Sequence, residues 1–142
     1  MIRQNDMRLR VPIREHGCYF MSLLELINRY TNLPLSVNRI NNSIYLGAIQ
    51  QGHMTMQCYM QDPSGFCKWL GWNATYTDRH EKPTYLCKDN EAEVLCFEGK
   101  YGAHFVSGDG KGHVAYDPYY TDSGGSASVR FGELVSKRVF RF

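Results

Sequence analysis

Two stretches of this chain carry side chains able to do nucleophilic chemistry. In the first, Arg14-Glu15-His16-Gly17-Cys18, a polar, Gly-ended approach runs straight into an apolar-periodic segment. Cys18 is therefore expected to open a helix. Helix N-termini carry unpaired backbone N–H groups and a partial positive charge. Both favour a thiolate, which lowers the pKa of a Cys placed there and makes it nucleophilic. Taken alone, Cys18 also fits the description of a small buried apolar residue. The second stretch, Gly102-Ala103-His104-Phe105-Val106 through His113-Val114-Ala115-Tyr116-Asp117-Pro118, changes that balance. Between its halves lies Ser107-Gly108-Asp109-Gly110-Lys111-Gly112, a hairpin signal. A two-residue turn at Gly110-Lys111 puts Gly at the first central position, as a type II′ turn requires. In that register Asp109 faces Gly112 and His104 faces Asp117, with Cβ atoms about 5 Å apart. An imidazole opposite a carboxylate is the relation between a general base and its orienting residue. His113 is the competing base. The same register faces it with Gly108 and leaves it no acid across the strand, so His104 is preferred.

The elements that would position these groups follow from the apolar periods. Phe20, Met21, Leu23, Leu24, Ile27 and Tyr30 recur at three- and four-residue steps, predicting a central helix from Cys18 to Tyr30. Met1 to Arg8 reads as a frayed end, and Leu9 to Ile13 as an extended lead-in that Pro12 keeps from helix. Ser36 is a suitable N-cap for a helix over 37–51 that Gly52 ends. In it, Ile40, Ile44, Ala48 and Ile49 form the apolar stripe and Asn38, Asn41 and Asn42 the solvated side. Met54 to Asp62 reads as a weak strand or irregular crossing. A short helix over 63–72 turns Phe66, Trp69 and Leu70 inward. From Asn73 the period becomes two, with strands expected over 74–77, 84–87, 93–98, 103–107, 113–117 and 138–142. Residues 119–128, rich in Ser, Gly, Thr and Asp, read as an exposed loop. Helices first and strands second is the pattern of an α+β domain with a mainly antiparallel sheet.

Composition bounds the function. The chain has 142 residues, enough for one domain over 1–142 that needs no staples. A formal charge of only +2 with no basic block argues against nucleic-acid binding. No apolar run suggests a signal peptide or membrane span. Five Cys, an odd number without close pairing, argue against a disulfide scaffold or a zinc ribbon and fit a reducing cytoplasm. Cys58, Cys67, Cys87 and Cys96 stand in apolar surroundings and read as inert core thiols. Trp69, Trp72, Tyr116, Tyr119 and Tyr120 read as core or cleft wall. No ligand spacing supports a metal, and no cofactor motif is present.

A helix-leading Gly-Cys, a later His on one strand and an Asp-Pro ending the next resemble the papain-like cysteine peptidase fold. The likeness is greatest to the compact domains related to bacteriocin double-glycine leader peptidases. More narrowly, REHGCYFMSLLELI, GAHFVSGDGKGHVAYDPY and RVFRF are similar to a family carried mainly by phages, prophages and plasmids. The resemblance runs from about Arg14 to Phe142. It implies Cys18 as nucleophile, His104 as general base and Asp117 as the acid orienting His104. Gly112-His113-Val114 also resembles a segment of cell-wall endopeptidases of the same broad fold. Such peptidases usually carry a Gln about five to seven residues before the Cys to bind the oxyanion. Residues 11–13 hold none, and Gln4 lies far upstream. The Cys18 N–H, with Arg14 or His16, is then the expected donor set. Two functions follow. One is a cysteine peptidase or related thiol acyl-transfer hydrolase acting on a peptide or protein. The other is a catalytically silent papain-like module of a mobile element that binds a peptide or protein.

Overall fold

The computed structural model describes residues 1–80, 83–119 and 125–142. Helices come first: α1 (Val11–His16), α2 (Cys18–Thr31), α3 (Val37–Arg39), α4 (Tyr45–Gln50) and α5 (Pro63–Trp69). Strands follow: β1 (Thr75–His80), β2 (Glu91–Glu98), β3 (His104–Gly108), β4 (Val114–Tyr116) and β5 (Glu133–Arg141), with α6 (Ala127–Phe131) before the last. The strands form one antiparallel sheet in the order β1-β5-β2-β3-β4. The domain is α+β, as the change of period predicts. Among the described residues no helix is long and apolar enough to cross a membrane.

The helix α2 is the centre of the core. Phe20, Met21, Leu23, Leu24, Leu26 and Ile27 are all fully buried, whereas Tyr30 is 41% exposed and stacks on Trp72. The helix packs along β3 and is fixed there at two points. The Ser22 hydroxyl lies 2.7 Å from the Cys18 carbonyl oxygen and 3.2 Å from that of Phe105. Two turns on, Arg29 donates to the Gly108 carbonyl at 3.0 Å while paired with Glu25 at 2.8 Å.

Several expectations are corrected. Pro12 does not exclude helix: it stands in the first turn of α1, where a missing N–H costs nothing. The helix expected over 37–51 is present, capped by Ser36, but a π-turn at Ile40–Ile44 divides it. Asn41 is more than a solvated side chain, because it accepts from the Arg10 N–H and donates to the Arg8 carbonyl. In α5 it is Phe66 and Cys67 that are buried, while Trp69 is 38% exposed. Residues 84–87 form no strand. Of the loop expected over 119–128, residues 120–124 lie outside the described part, and Ser126 caps α6. Nor is the N-terminal segment a free end. Gln4 and Leu9 are buried, the Gln4 N–H donates to the Pro118 carbonyl at 2.6 Å, and the Tyr116 hydroxyl donates to the Ile2 carbonyl.

Away from α2, Glu93 and Lys137 form a fully buried ion pair at 3.0 Å. Both groups have further partners. Glu93 Oε2 accepts from the Gly110 and Gly112 N–H groups, and Lys137 Nζ donates to the Tyr85 carbonyl at 2.6 Å. The pair thus ties the β3–β4 turn to the middle of the sheet. Removing one partner of such a pair strands the other charge, at a cost of about 3–5 kcal/mol. Lys137→Met is expected to destabilise by that order in urea unfolding. The double variant Glu93→Leu/Lys137→Met, which strands no charge, is expected to recover part of the loss.

Candidate active site

Gly17 separates α1 from α2, and a Cβ there would stand 2.4 Å from the Ile13 carbonyl oxygen. The close approach lets the chain turn and restart as helix at Cys18. Among the described residues no side chain caps this end of α2, which leaves its first N–H groups open to a ligand. Cys18 is half-buried and lies in a cleft of about 440 Å³ walled by Tyr19, Tyr59, Tyr76 and Phe105, with His16 and Arg138 at its sides.

His104, the first residue of β3, and Asp117, just past β4, are buried at 8% and 6% exposure. The His104 Nε2 lies 2.7 Å from Asp117 Oδ1. The Cys18 thiol is close enough to the same ring to raise its pKa. With Nε2 committed to Asp117, Nδ1 is the nitrogen left for sulfur. Asp117 is itself fully engaged. Its carboxylate accepts from the Tyr119 N–H at 2.9 Å and the Ser126 N–H at 2.8 Å, and its carbonyl accepts from the Arg3 guanidinium.

The contact is formed, but not by the register expected. The turn has three residues, Gly110-Lys111-Gly112, with both glycines at positive φ and the Asp109 N–H donating to the His113 carbonyl. Gly108 then pairs with Val114, and Ser107 with Tyr116, so Ala115 is an extra, bulged residue. Each irregularity shifts the pairing by one residue. Together they shift it by two, which restores the parity that decides which face a side chain takes. Asp117 therefore becomes the diagonal neighbour of His104, still within reach on the same side.

Electrostatics follow from burial and partners. Burial opposes charge on His104, but hydrogen bonds to Asp117 and Cys18, and the charges on both, outweigh it and push the ring up to about 9. Burial likewise opposes the Asp117 carboxylate, yet His104 and the Ser126 and Tyr119 N–H groups hold it below the usual carboxylate range. Burial pushes Cys58, Cys67 and Cys87 up to about 12 and also raises Cys96. Those four are poor nucleophiles at neutral pH, although Cys58 also borders the cleft.

The remaining candidates are dispersed. The Arg14 guanidinium donates to the Leu9 carbonyl at 3.1 Å and contacts Met7, so it does not point at Cys18 as an oxyanion donor would. His16 lies in the cleft wall, half-exposed beside Glu15. His113, expected to lack an acid, pairs with Asp109 at 2.9 Å, but on the exposed turn. Among the described residues no group of three His, Cys, Asp or Glu is placed to hold a metal ion.

Sequence reasoning missed Gln4. Its side-chain amide donates to the Arg14 carbonyl at 3.1 Å, while its backbone N–H holds Pro118. One buried residue thus bridges the approach to Cys18 and the segment carrying Asp117. Its only sequence signal is a polar residue in a short N-terminal run, which does not distinguish it from its neighbours.

The arrangement can take a proton from sulfur, hold it on an imidazole steadied by a carboxylate, and return it to a leaving group. The whole chain, residues 1–142, matches the family model described as Protein of unknown function, DUF261. No curated protein and no solved structure matches it.

The raised His104 pKa fixes a pH window. Below about 6.5 the ring is protonated both folded and unfolded, and its stabilising contribution is complete; it decays as pH rises and is gone above about 9. For Asp117, whose pKa is lowered, the contribution holds above the ordinary carboxylate range and is lost as pH falls through the folded value. The urea-midpoint gap between the native chain and His104→Gln is expected to be widest near pH 6 and to narrow towards pH 10.

Proposed function

We propose that this chain, which belongs to the DUF261 family, is a cysteine hydrolase of papain-like design. It cleaves or transfers an acyl group from a peptide or protein through a Cys18 thioester. One observation carries the reading. The His104 ring is hydrogen-bonded to a buried carboxylate and lies near enough to the thiol that opens α2 for the two to interact electrostatically. The papain-like design is supported by a Cys-led helix packed on an antiparallel sheet that brings His and Asp to the helix end.

In this mechanism the Cys18 proton already rests on His104, and the sulfur attacks the substrate carbonyl carbon. The C–S bond forms as the carbonyl π pair moves to oxygen, and the Cys18 N–H stabilises that oxyanion. When the tetrahedral intermediate collapses, the C–N bond breaks and the His104 imidazolium protonates the departing amine. His104 then takes a proton from water, whose oxygen attacks the thioester carbon. The acid is released and the thiol restored. Asp117 keeps the His104 ring in the tautomer and orientation both halves require. His16, in the cleft wall, would supply a second donor. A free-thiol nucleophile suits a reducing compartment.

The binding-module reading has one observation in its favour: with Arg14 engaged at Leu9, the cleft has fewer donors for an oxyanion. A missing donor costs about 3 kcal/mol of transition-state stabilisation, so an intact thiol pair is compatible with slow turnover.

Alkylation separates the readings. Cys18 is expected to react with iodoacetamide near pH 7 well ahead of the other four thiols, as read by mass spectrometry after brief labelling. Without the imidazole only a few per cent of an ordinary thiol is ionised at pH 7, so His104→Ala is expected to slow Cys18 by roughly thirtyfold. Asp117→Asn should slow it less, and His113→Ala should leave it unchanged. A silent thiol in His113→Ala alongside a reactive one in His104→Ala would overturn the assignment.

A further inference from the structure

The cleft beside Cys18 has a charge that the hydrolase reading does not use. Cys96 pairs with Phe105 on one side and Ser136 on the other, which sets these residues abreast across three strands. Arg138 lies two residues beyond Ser136, on the same face. Its guanidinium is stacked at 5.0 Å over the Phe105 ring, and its Nη1 donates to the buried Ser136 hydroxyl. The head group is therefore held in place rather than free to sweep. Among the described residues Arg138 has no Asp or Glu partner, and neither residue type lines the cleft. The remaining walls are aromatic or neutral apart from His16. A guanidinium held in this way, with no acidic partner among the described residues and against aromatic surface that lowers the local dielectric, is matched by a carboxylate that accepts its remaining N–H groups.

We propose that Arg138 makes the cleft selective for a substrate carrying a carboxylate close to the scissile bond, that is, for an acidic peptide. The proposal rests on Cys18 being the nucleophile of this cleft. The carboxylate belongs either to a Glu or Asp side chain or to a chain terminus.

Three electrophiles test it: iodoacetyl-glutamate α-amide, iodoacetyl-glutamine α-amide, and iodoacetyl-glutamine with a free α-carboxylate. With each, the Cys18 thiolate attacks the methylene carbon, a C–S bond forms, the C–I bond breaks and iodide leaves. Iodoacetamide serves as the uncharged control. In the native protein the glutamate compound is expected to outpace the glutamine amide on the order of tenfold, the worth of one charge-assisted hydrogen bond. The advantage should shrink at high salt, as a partly exposed ion pair requires. In Arg138→Met, which keeps an apolar stem over Phe105, the glutamate-to-glutamine rate ratio should fall to about one, each rate being normalised to that variant's own iodoacetamide rate. An advantage confined to the free α-carboxylate compound would assign recognition to a chain terminus. No advantage for either carboxylate, or one that persists in Arg138→Met, overturns the proposal and leaves the Cys18 reading standing. A native Cys18 no faster with iodoacetamide than the buried thiols overturns both. The salt dependence is read on the native chain, so the test survives a variant that fails to fold.

Discussion

The docking of α2 along β3 is the constraint on which the rest of the molecule depends. Ser22 and Arg29 meet the strand at Phe105 and Gly108. Seven helical residues rise roughly 10 Å, and three extended residues span about the same. The two contacts are therefore satisfied together only when helix and strand run side by side in one alignment. That alignment brings Cys18 and His104, which precede their respective contact points, to the same end. The thiol and the imidazole meet because the helix cannot slide, and the burial of six apolar residues of α2 keeps it from lifting off.

Around this seam, charge is placed where it is constrained rather than where it is cheap. Glu93 and Lys137 are wholly buried, and an ion pair of that kind often stabilises no more than apolar residues of similar volume would. Here it anchors the turn between the strands that lead to His104 and Asp117. The N-terminal segment performs a comparable task from the other side, through Ile2, Arg3 and Gln4. Asp117 is consequently held by its side chain and its backbone, and cannot rotate away from His104 without breaking bonds to three separate segments. A carboxylate so committed keeps its charge, and the imidazole beside it keeps its proton across the neutral range.

Much of this was legible in the residues. The Cys18 helix shows in its three- and four-residue apolar steps, and the sheet in the change to a period of two. The meeting of His104 with Asp117 was legible for an instructive reason. Strand pairing alternates faces, so the extra turn residue and the bulged Ala115 cancelled, and a register that was wrong in detail still named the right partners. Where tertiary contacts override local propensity, the residues gave no warning. Residues 2–4 are ordered by partners more than a hundred positions away. Residues 84–87 alternate like a strand but are drawn out of the ladder where Tyr85 and Cys87 meet Lys137 and Glu93. Arg14 was eligible as a donor by type and spacing, and only its bond to Leu9 shows otherwise.

The order of strands, β1-β5-β2-β3-β4, bears on how the molecule comes into being. The strand latest in sequence sits second in the sheet, between the two that precede the hairpin. A chain emerging from the ribosome can pair β2, β3 and β4 early, but β1 finds no neighbour until β5 arrives between it and β2. Lys137 also lies on β5, so Glu93 waits until then for its counter-charge. The acid–base hairpin is therefore assembled on a half-built sheet and locked only once β5 has been made. Non-local pairing of this kind is slow to form, and it exposes the unpaired edge of β2 in the interval. A nascent thiol would thus acquire its reactivity late, only after the strand that closes the sheet has left the ribosome.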